Sequence, residues 1–370
     1  MKAENKKNSS TIVHDHLTAE LLLTSNCNME CSYCIAKDLP RATMSIEDGQ
    51  QAIDFFIRLA KGASSAEITL TGGEPFLVFS LAKRLICYAK KRMQTEGIDT
   101  KFVLKTNGTI LNDDIIDFLC THDPKIVVSI DGLPSVHDRH RLTKQHQATH
   151  STVLSNLKTL MKHNIQYVAS VTVHPDACAT LLDSIRQLHE IGIENIDIGP
   201  AYGTVNWSQL DINTFIDSLM ASTRYIRQVH LLGGQLEVGP VYKFTEHIGG
   251  VLKNSWGCHA ASTNLAFLPN GQIAGCSALA MLVTKYPELI IGDIYAGLYT
   301  DALNCFLKLA QASAQQRIHC QNCAAAPNCK GGCLAINLSQ NGNPFSPPNF
   351  YCRIISVIPV AWNNVWADKT

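Results

Sequence analysis

The 370-residue chain has little charge. Lys plus Arg and Asp plus Glu number 31 each, and charged residues make up 17% of the total. With zero net charge and no long basic run, nucleic acid is not an expected partner. Lys90-Lys91-Arg92 reads as the solvated face of a helix. No apolar run reaches about 18 residues, so no membrane-spanning helix is expected. Met1 to His16 is polar and has no apolar h-region, which excludes a secretory signal. These absences lead to an expected cytoplasmic location. What the chain has in plenty is cysteine, 14 in all. In a reducing compartment these read as metal ligands or free thiols, not disulfides. Hydrophobic residues at 46% support a sizeable core, and the length suits one large domain plus a smaller one.

Cys27, Cys31 and Cys34 stand as C-x3-C-x2-C in Asn26-Cys27-Asn28-Met29-Glu30-Cys31-Ser32-Tyr33-Cys34. A four-iron cluster takes four thiolates. Three leave one iron with an open position, as in catalytic rather than closed structural metal sites. An open iron can hold a small chelating ligand and pass it an electron. From spacing alone, a zinc knuckle remains the alternative.

The hydrophobic pattern predicts alternating strands and helices. Ala19–Ser25, Glu67–Thr71, Phe102–Lys105, Lys125–Ile130, Gln166–His174 and Asn195–Gly199 read as strands. Ser45–Ala60, 80–94, Asp113–Cys120, Ser151–His163 and Cys178–Ile191 read as helices, the first with Ser45 as N-cap and Glu47 and Asp48 in its first turn. Such alternation argues for parallel strands joined by right-handed crossovers. Six units over about 180 residues suit a partial (β/α)6 TIM-like barrel, since a full barrel takes about 250. A doubly wound open sheet is the alternative.

Polar motifs fall at successive strand ends: the Cys triplet, Gly72-Gly73-Glu74-Pro75, Thr106-Asn107-Gly108, then Ser129 and Asp131. In a parallel barrel these ends share the face that carries the active site. Gly72-Gly73 exposes peptide groups and admits a ligand closely. Glu74 adds a carboxylate suited to an ammonium. Asn107, Ser129 and Asp131 suit a ligand's carboxylate or ribose hydroxyls, although Asn107-Gly108 is equally plain turn chemistry. His137 and His140 read as surface or loop-tying residues. A lone His proves little.

The Cys triplet, with its aromatic before the last Cys, resembles the cluster motif of radical S-adenosylmethionine (SAM) enzymes. The resemblance implies that the open iron binds the amino and carboxylate groups of SAM. It implies that Gly72, Gly73 and Glu74 contact the amino group of the methionine moiety. Relatives with a SPASM extension imply that Arg141, rather than Arg139, binds the SAM carboxylate.

A second set comprises Cys258, Cys276, Cys320, Cys323, Cys329, Cys333 and Cys352. Pro269-Asn270-Gly271, between Thr263–Leu268 and Gln272–Gly275, predicts a hairpin that brings Cys258 near Cys276. C-x2-C-x5-C-x3-C alone also fits zinc. The seven-Cys order, with Gly271 and then four residues before the second Cys, resembles the SPASM domain. That resemblance implies three [4Fe-4S] clusters, one that binds SAM and two auxiliary. Cys320, Cys323, Cys329 and Cys352 would hold one auxiliary cluster. Cys258, Cys276 and Cys333 would hold the other, left open or completed by His259 or Cys305. Cys87, Cys120, Cys178 and Cys305 are expected to be inert core thiols.

The expected organisation is an N-terminal arm (1–17), a radical SAM barrel (18–210), a bridging region (211–257), a small iron–sulfur SPASM domain (258–355) and a tail (356–370) that packs on the barrel. The resemblance implies reductive cleavage of SAM to a 5′-deoxyadenosyl radical, followed by hydrogen abstraction from a peptide or protein that ends in oxidation, cross-linking or cyclisation. The expected partners are a flavodoxin- or ferredoxin-type electron donor and a separate leader-peptide-binding protein. Formylglycine formation on sulfatases, radical oxidation of a small molecule, and a metal-stabilised binding module are the alternatives. Sulfatase maturases carry an Asp base at the position of Ser277, so Ser277→Ala is expected to leave turnover largely intact.

Overall fold

A computed structural model of the chain describes residues 15–239, 258–310, 320–323, 329 and 332–366. The expected arm before residue 15, and residues 240–257 of the bridging region, lie outside the described residues.

The chain opens with β1 (His16–Thr24), α1 (Ile46–Ala60), β2 (Ser65–Gly72), α2 (Phe79–Thr95), β3 (Asp99–Thr106), α3 (Asp113–His122) and β4 (Lys125–Ser129). It continues through α4 (Pro134–His140), α5 (His150–Lys162), β5 (Tyr167–Val173), α6 (Leu181–Glu190), β6 (Asn195–Pro200), α7 (Gln209–Leu231) and β7 (Glu237–Gly239). Then come β8 (Asn264–Phe267), β9 (Gln272–Ala274), α8 (Ser277–Ala280), β10 (Ile290–Asp293), β11 (Gly297–Leu298), α9 (Thr300–Ala310), α10 (Leu334–Asn341) and α11 (Asn349–Trp366).

One sheet runs in the order β11-β10-β9-β8-β1-β2-β3-β4-β5-β6-β7. Each neighbouring pair from β1 to β7 is parallel. A doubly wound sheet reverses its strand order at a switch point. This order never reverses, so the architecture is a partial (β/α)6 barrel. Two features extend it. The short parallel strand β7 adds to the β6 edge. At the other edge β8 lies parallel to β1, followed by the antiparallel β9 and β10. The Pro269-Asn270-Gly271 hairpin thus forms, and it is part of the barrel's own sheet.

Strand alternation divides the residues between two faces. Ala19, Leu21, Leu23, Ile68, Leu70, Leu104, Ile126 and Val128 belong to the core, which α1, α2, α3 and α5 cover from outside. Ser45 caps α1 by accepting from the Asp48 N–H. The residues in between, Glu20, Thr71, Lys105, Ser170, Thr172 and Asp197, face the concave side and are polar.

The C-terminal segment is tied to the barrel at three places. Gln340 accepts from the Gly203 N–H and donates to the Val205 carbonyl. Phe350 stacks on Trp207 with ring centroids 5.2 Å apart. Helix α11 lies along α7, with Ile354, Ile358, Ala361 and Val365 buried. The same helix carries Cys352 and the expected tail, so no structural break falls near residue 356. Among the described residues no helix is long and apolar enough to cross a membrane.

One cysteine expectation is corrected. Cys178 is buried, but Cys87, Cys120 and Cys305 are exposed. They lie on the solvent sides of α2, α3 and α9, where no packing requires them.

Candidate active site

Backbone hydrogen bonds clamp the loop after β1 from two sides. Ser25 N–H donates to the Ala42 carbonyl, Glu30 N–H to Leu142 and Ser32 N–H to His140. The loop presents Cys27, Cys31 and Cys34 to a cavity of about 490 Å³, shared with Gly72, Gly73 and Lys144. Burial pushes the Cys31 thiol up to about 11 and raises Cys27 as well, partly offset for Cys31 by Arg141. Asn107 donates to Cys27 Sγ at 3.7 Å and to Asn28 Oδ1 at 2.9 Å.

The thiol geometry bears on which metal group fits. A single tetrahedral zinc, with Zn–S near 2.3 Å, needs its sulfurs roughly 4 Å apart. Among the described residues only His140, His174 and Asp176 bring three ligand atoms within 4.8 Å of one another. The three sulfurs of the triplet are therefore neighbours set wider than one zinc ion allows. Three thiols around an open cavity suit a four-iron cluster with one free iron.

Gly72-Gly73-Glu74 turns out differently from expectation. Gly73 N–H donates to the Thr24 carbonyl and Glu74 N–H to the Asn26 carbonyl. A Cβ at Gly73 would collide with the Asn26 carbonyl, and one at Gly72, where φ is +128°, with that of Thr24. The glycines admit the cysteine loop's backbone, and their own peptide groups line the cavity. Glu74 does not reach it. Its side chain is fully buried and accepts from Phe76 N–H, Thr106 Oγ1 and Asn107 N–H at 2.7–2.9 Å. Burial raises its carboxyl pKa against those three donors. Through these bonds Glu74 joins the β2 and β3 turns.

Asp131 and Arg141 are likewise held by protein partners. Arg141 is buried and donates to both Asp131 oxygens, at 2.8 and 3.0 Å. Tyr33 Oη–H and Thr172 N–H also donate to Asp131. Burial alone would raise the Asp131 carboxyl, but the Arg141 guanidinium and the Tyr33 hydroxyl outweigh it and hold it below the usual range. Arg141 also sits over the Tyr33 ring, 5.4 Å from its centroid. The pair braces the cysteine loop and does not line the cavity beside it. Ser129, at the end of β4, lines neither cavity. Of the seven residues expected to bind the cofactor, only Gly72 and Gly73 line the space beside the cysteines. Asn107 reaches it through Cys27.

The histidines tie loops together. His137, buried, accepts from Asp131 N–H on Nδ1 and shares a hydrogen bond with Thr149 Oγ1 through Nε2. His140 links Ser32 to Asp176, which also meets His174 and Arg139.

A second cavity, of about 470 Å³, fills the barrel mouth. Its lining runs from Tyr33, Cys34 and Gly72 to Tyr202 and Ser277. Lys105, Ser170, Thr172 and Asp197 also line it. Sequence reasoning missed these lumen residues. The available signal was a charged residue inside an otherwise apolar strand, as at Glu20, Lys105 and Asp197.

The C-terminal thiols fall into two groups. The charges of Cys333 and Cys258 act on Cys276, whose thiol burial pushes far up. The charges of Cys329, Cys320 and Cys323 act on Cys352, which burial lifts to about 11. Cys276 and Cys333 stand at the N-termini of α8 and α10. Burial pushes the Tyr202 hydroxyl up, and the charges of Cys333, Cys276 and Cys34 act on it in the same direction. His259 and Cys305 are both exposed.

Comparison with known proteins agrees with this geometry. Residues 21–177 match the Radical SAM superfamily. A cysteine-type anaerobic sulfatase-maturating enzyme of Clostridium novyi is 22% identical over 365 residues, 89% of this chain and 90% of that one. The antilisterial bacteriocin subtilosin biosynthesis protein AlbA of Bacillus subtilis is 27% identical over 88% of this chain and 68% of its own. In fold, the chain resembles native anSMEcpe with bound AdoMet and Cp18Cys peptide, with a TM-score of 0.78 at 17% identity, covering 96% and 97% of the two chains.

Proposed function

Residues 21–177 are a radical SAM domain and the chain is a radical SAM enzyme; from that premise we propose that it oxidises a peptide or protein held in the barrel mouth. The observation that carries the reading is the 470 Å³ cavity. It joins the end of the cysteine triplet and Gly72 to the wall formed by Tyr202 and Ser277, beside Cys276. A substrate held there lies between two sets of thiols.

Cys27, Cys31 and Cys34 would hold a [4Fe-4S] cluster, with SAM beside Gly72 and Gly73. When bound and reduced, that cluster supplies the electron that cleaves SAM to methionine and a 5′-deoxyadenosyl radical. The protein's part is positional. Asp131, Arg141 and Tyr33 keep the cysteine loop rigid, and Glu74 fixes the Gly-Gly turn against it. Asn107 donates to Cys27 Sγ, which favours its charged form. Cys320, Cys323, Cys329 and Cys352 would hold one auxiliary cluster, and Cys258, Cys276 and Cys333 an open one. A one-electron donor of the flavodoxin or ferredoxin type would serve the N-terminal site. A separate leader-binding protein would present a peptide substrate.

One observation favours formylglycine formation as the second reading. Ser277 replaces the maturase Asp, yet Glu20 places a carboxylate directly behind it. Ser277→Ala would strip Glu20 of the hydroxyl donor and leave the backbone N–H donor in place.

The test is 5′-deoxyadenosine formation by anaerobically reconstituted protein with SAM and dithionite. Wild type should form it, and the Cys27/Cys31/Cys34→Ala variant should not. Equal yields would overturn the assignment. Peptides containing Cys or Ser, screened with an aldehyde-reactive probe, separate formylglycine formation from cross-linking.

A further inference from the structure

The barrel lumen carries a polar group to which the first reading above gives no role. Glu20, on β1, is 7% exposed. Its Oε1 accepts from Ser277 Oγ at 2.7 Å and from Lys105 Nζ at 3.3 Å, and its Oε2 from Ser277 N–H at 2.7 Å. Three donors on one buried carboxylate fix its direction.

That arrangement dictates what its two partners show to the cavity. The Ser277 hydroxyl proton is directed at Glu20, so toward the cavity the oxygen offers lone pairs. The Lys105 ammonium has three N–H donors. Among the described residues its one ion-pair partner is Glu20, and its side chain is 43% exposed. Ser277 and Lys105 both line the 470 Å³ cavity. Both rest on the same carboxylate oxygen, so they are neighbours. The floor is therefore an acceptor beside a donor, on an ion pair with no net charge.

We infer that Ser277 and Lys105, braced by Glu20, form a two-point docking site for a carboxamide of the substrate, whose C=O accepts from Lys105 while its N–H donates to Ser277. The inference rests on the peptide reading above and narrows its substrate class. A carboxylate would satisfy Lys105 but set its second oxygen against the Ser277 lone pairs and the Glu20 charge. An ammonium would satisfy Ser277 and be repelled by Lys105. A neutral amide satisfies both. Carboxamides come from two sources, an Asn or Gln side chain or the peptide backbone.

The experiment is calorimetric titration of anaerobically reconstituted full-length enzyme, loaded with SAM. The probes are N-acetyl tripeptide amides with Asn, Asp or Ala at the centre, and the all-Ala peptide methylated on every backbone nitrogen. A side-chain amide predicts that the Asn peptide binds about tenfold tighter than the Asp and Ala peptides, because a polar site rejects a ligand that leaves it unpaired. A backbone amide predicts that Asn and Ala peptides bind alike, both about tenfold tighter than the methylated one. In either case Ser277→Ala and Lys105→Met should erase the preference, while Ser277→Thr, which keeps the hydroxyl, should retain it. Equal binding of all four probes, a preference for the Asp peptide, or a preference that survives Ser277→Ala and Lys105→Met would overturn the site. SAM affinity and iron content on the same preparations report separately on the reaction. A wild type that binds no SAM yet prefers amides would overturn the radical reading and keep the site.

Discussion

At the scale of single residues, the side chains nearest the cysteines mostly hold other side chains. Arg141 is the clearest case. Removing it leaves Asp131 buried with its principal counter-charge gone, and breaking such a pair typically costs about 3–5 kcal/mol. Arg141→Ala should therefore lower stability by that order, and the paired Asp131→Asn/Arg141→Met variant by less, as read from urea midpoints. If the single variant were silent, the bracing role would fail. His137 supplies a pH signature. Burial, with Arg141 close by, lowers it from 6.5 to about 4. The folded protein keeps the ring neutral while the unfolded chain takes up a proton below pH 6.5. Its contribution is complete above pH 6.5 and is lost as the pH falls toward 4, on the order of 3 kcal/mol in all. Denaturant unfolding at pH 7.5, 5.5 and 4.5 should show this fall, and His137→Gln should flatten it.

At the scale of elements, the site is a set of strand ends stapled to one another. The β2 turn hydrogen-bonds the start of the cysteine loop, and Glu74 joins that turn to the end of β3. Gly73 has no room for a side chain against the Asn26 carbonyl. Gly73→Ala should push the loop out of place. The expected result is iron loss at the N-terminal site and SAM affinity at least about tenfold weaker, the cost of a small misplacement in a preorganised site. Unchanged SAM affinity in calorimetry would show that the close approach is dispensable.

At the scale of the whole molecule, the C-terminal segment completes the barrel's working end. Strand β8 joins the β1 edge, the turn into α8 brings Cys276 and Ser277 to the lumen, and α11 anchors Cys352 along α7. Three clusters of four irons each predict about twelve irons per chain, falling to about eight when Cys27, Cys31 and Cys34 become Ala. Iron and sulfide analysis with Mössbauer spectra on reconstituted protein checks this. Zinc at the C-terminal thiols would remove their redox role.

By itself the sequence determined the cysteine triplet, the succession of strands and helices from β1 to β6 and the hairpin after Leu268. Each rests on local spacing or periodicity, which survives in one dimension. It also marked the strand-end motifs, but it could not say which way their side chains turn. That was decided by tertiary structure. Glu74, Asp131 and Arg141 look like ligand-binding groups in the chain because their charges suit a ligand. Folded, each is buried among donors or counter-charges from other strands, up to 41 positions away in sequence, which satisfy it first. Glu20 and Lys105 show the converse. Each reads as a stray charge in a strand, and only the closing of the barrel, with Ser277 arriving from 257 positions away, turns them into the floor of a cavity.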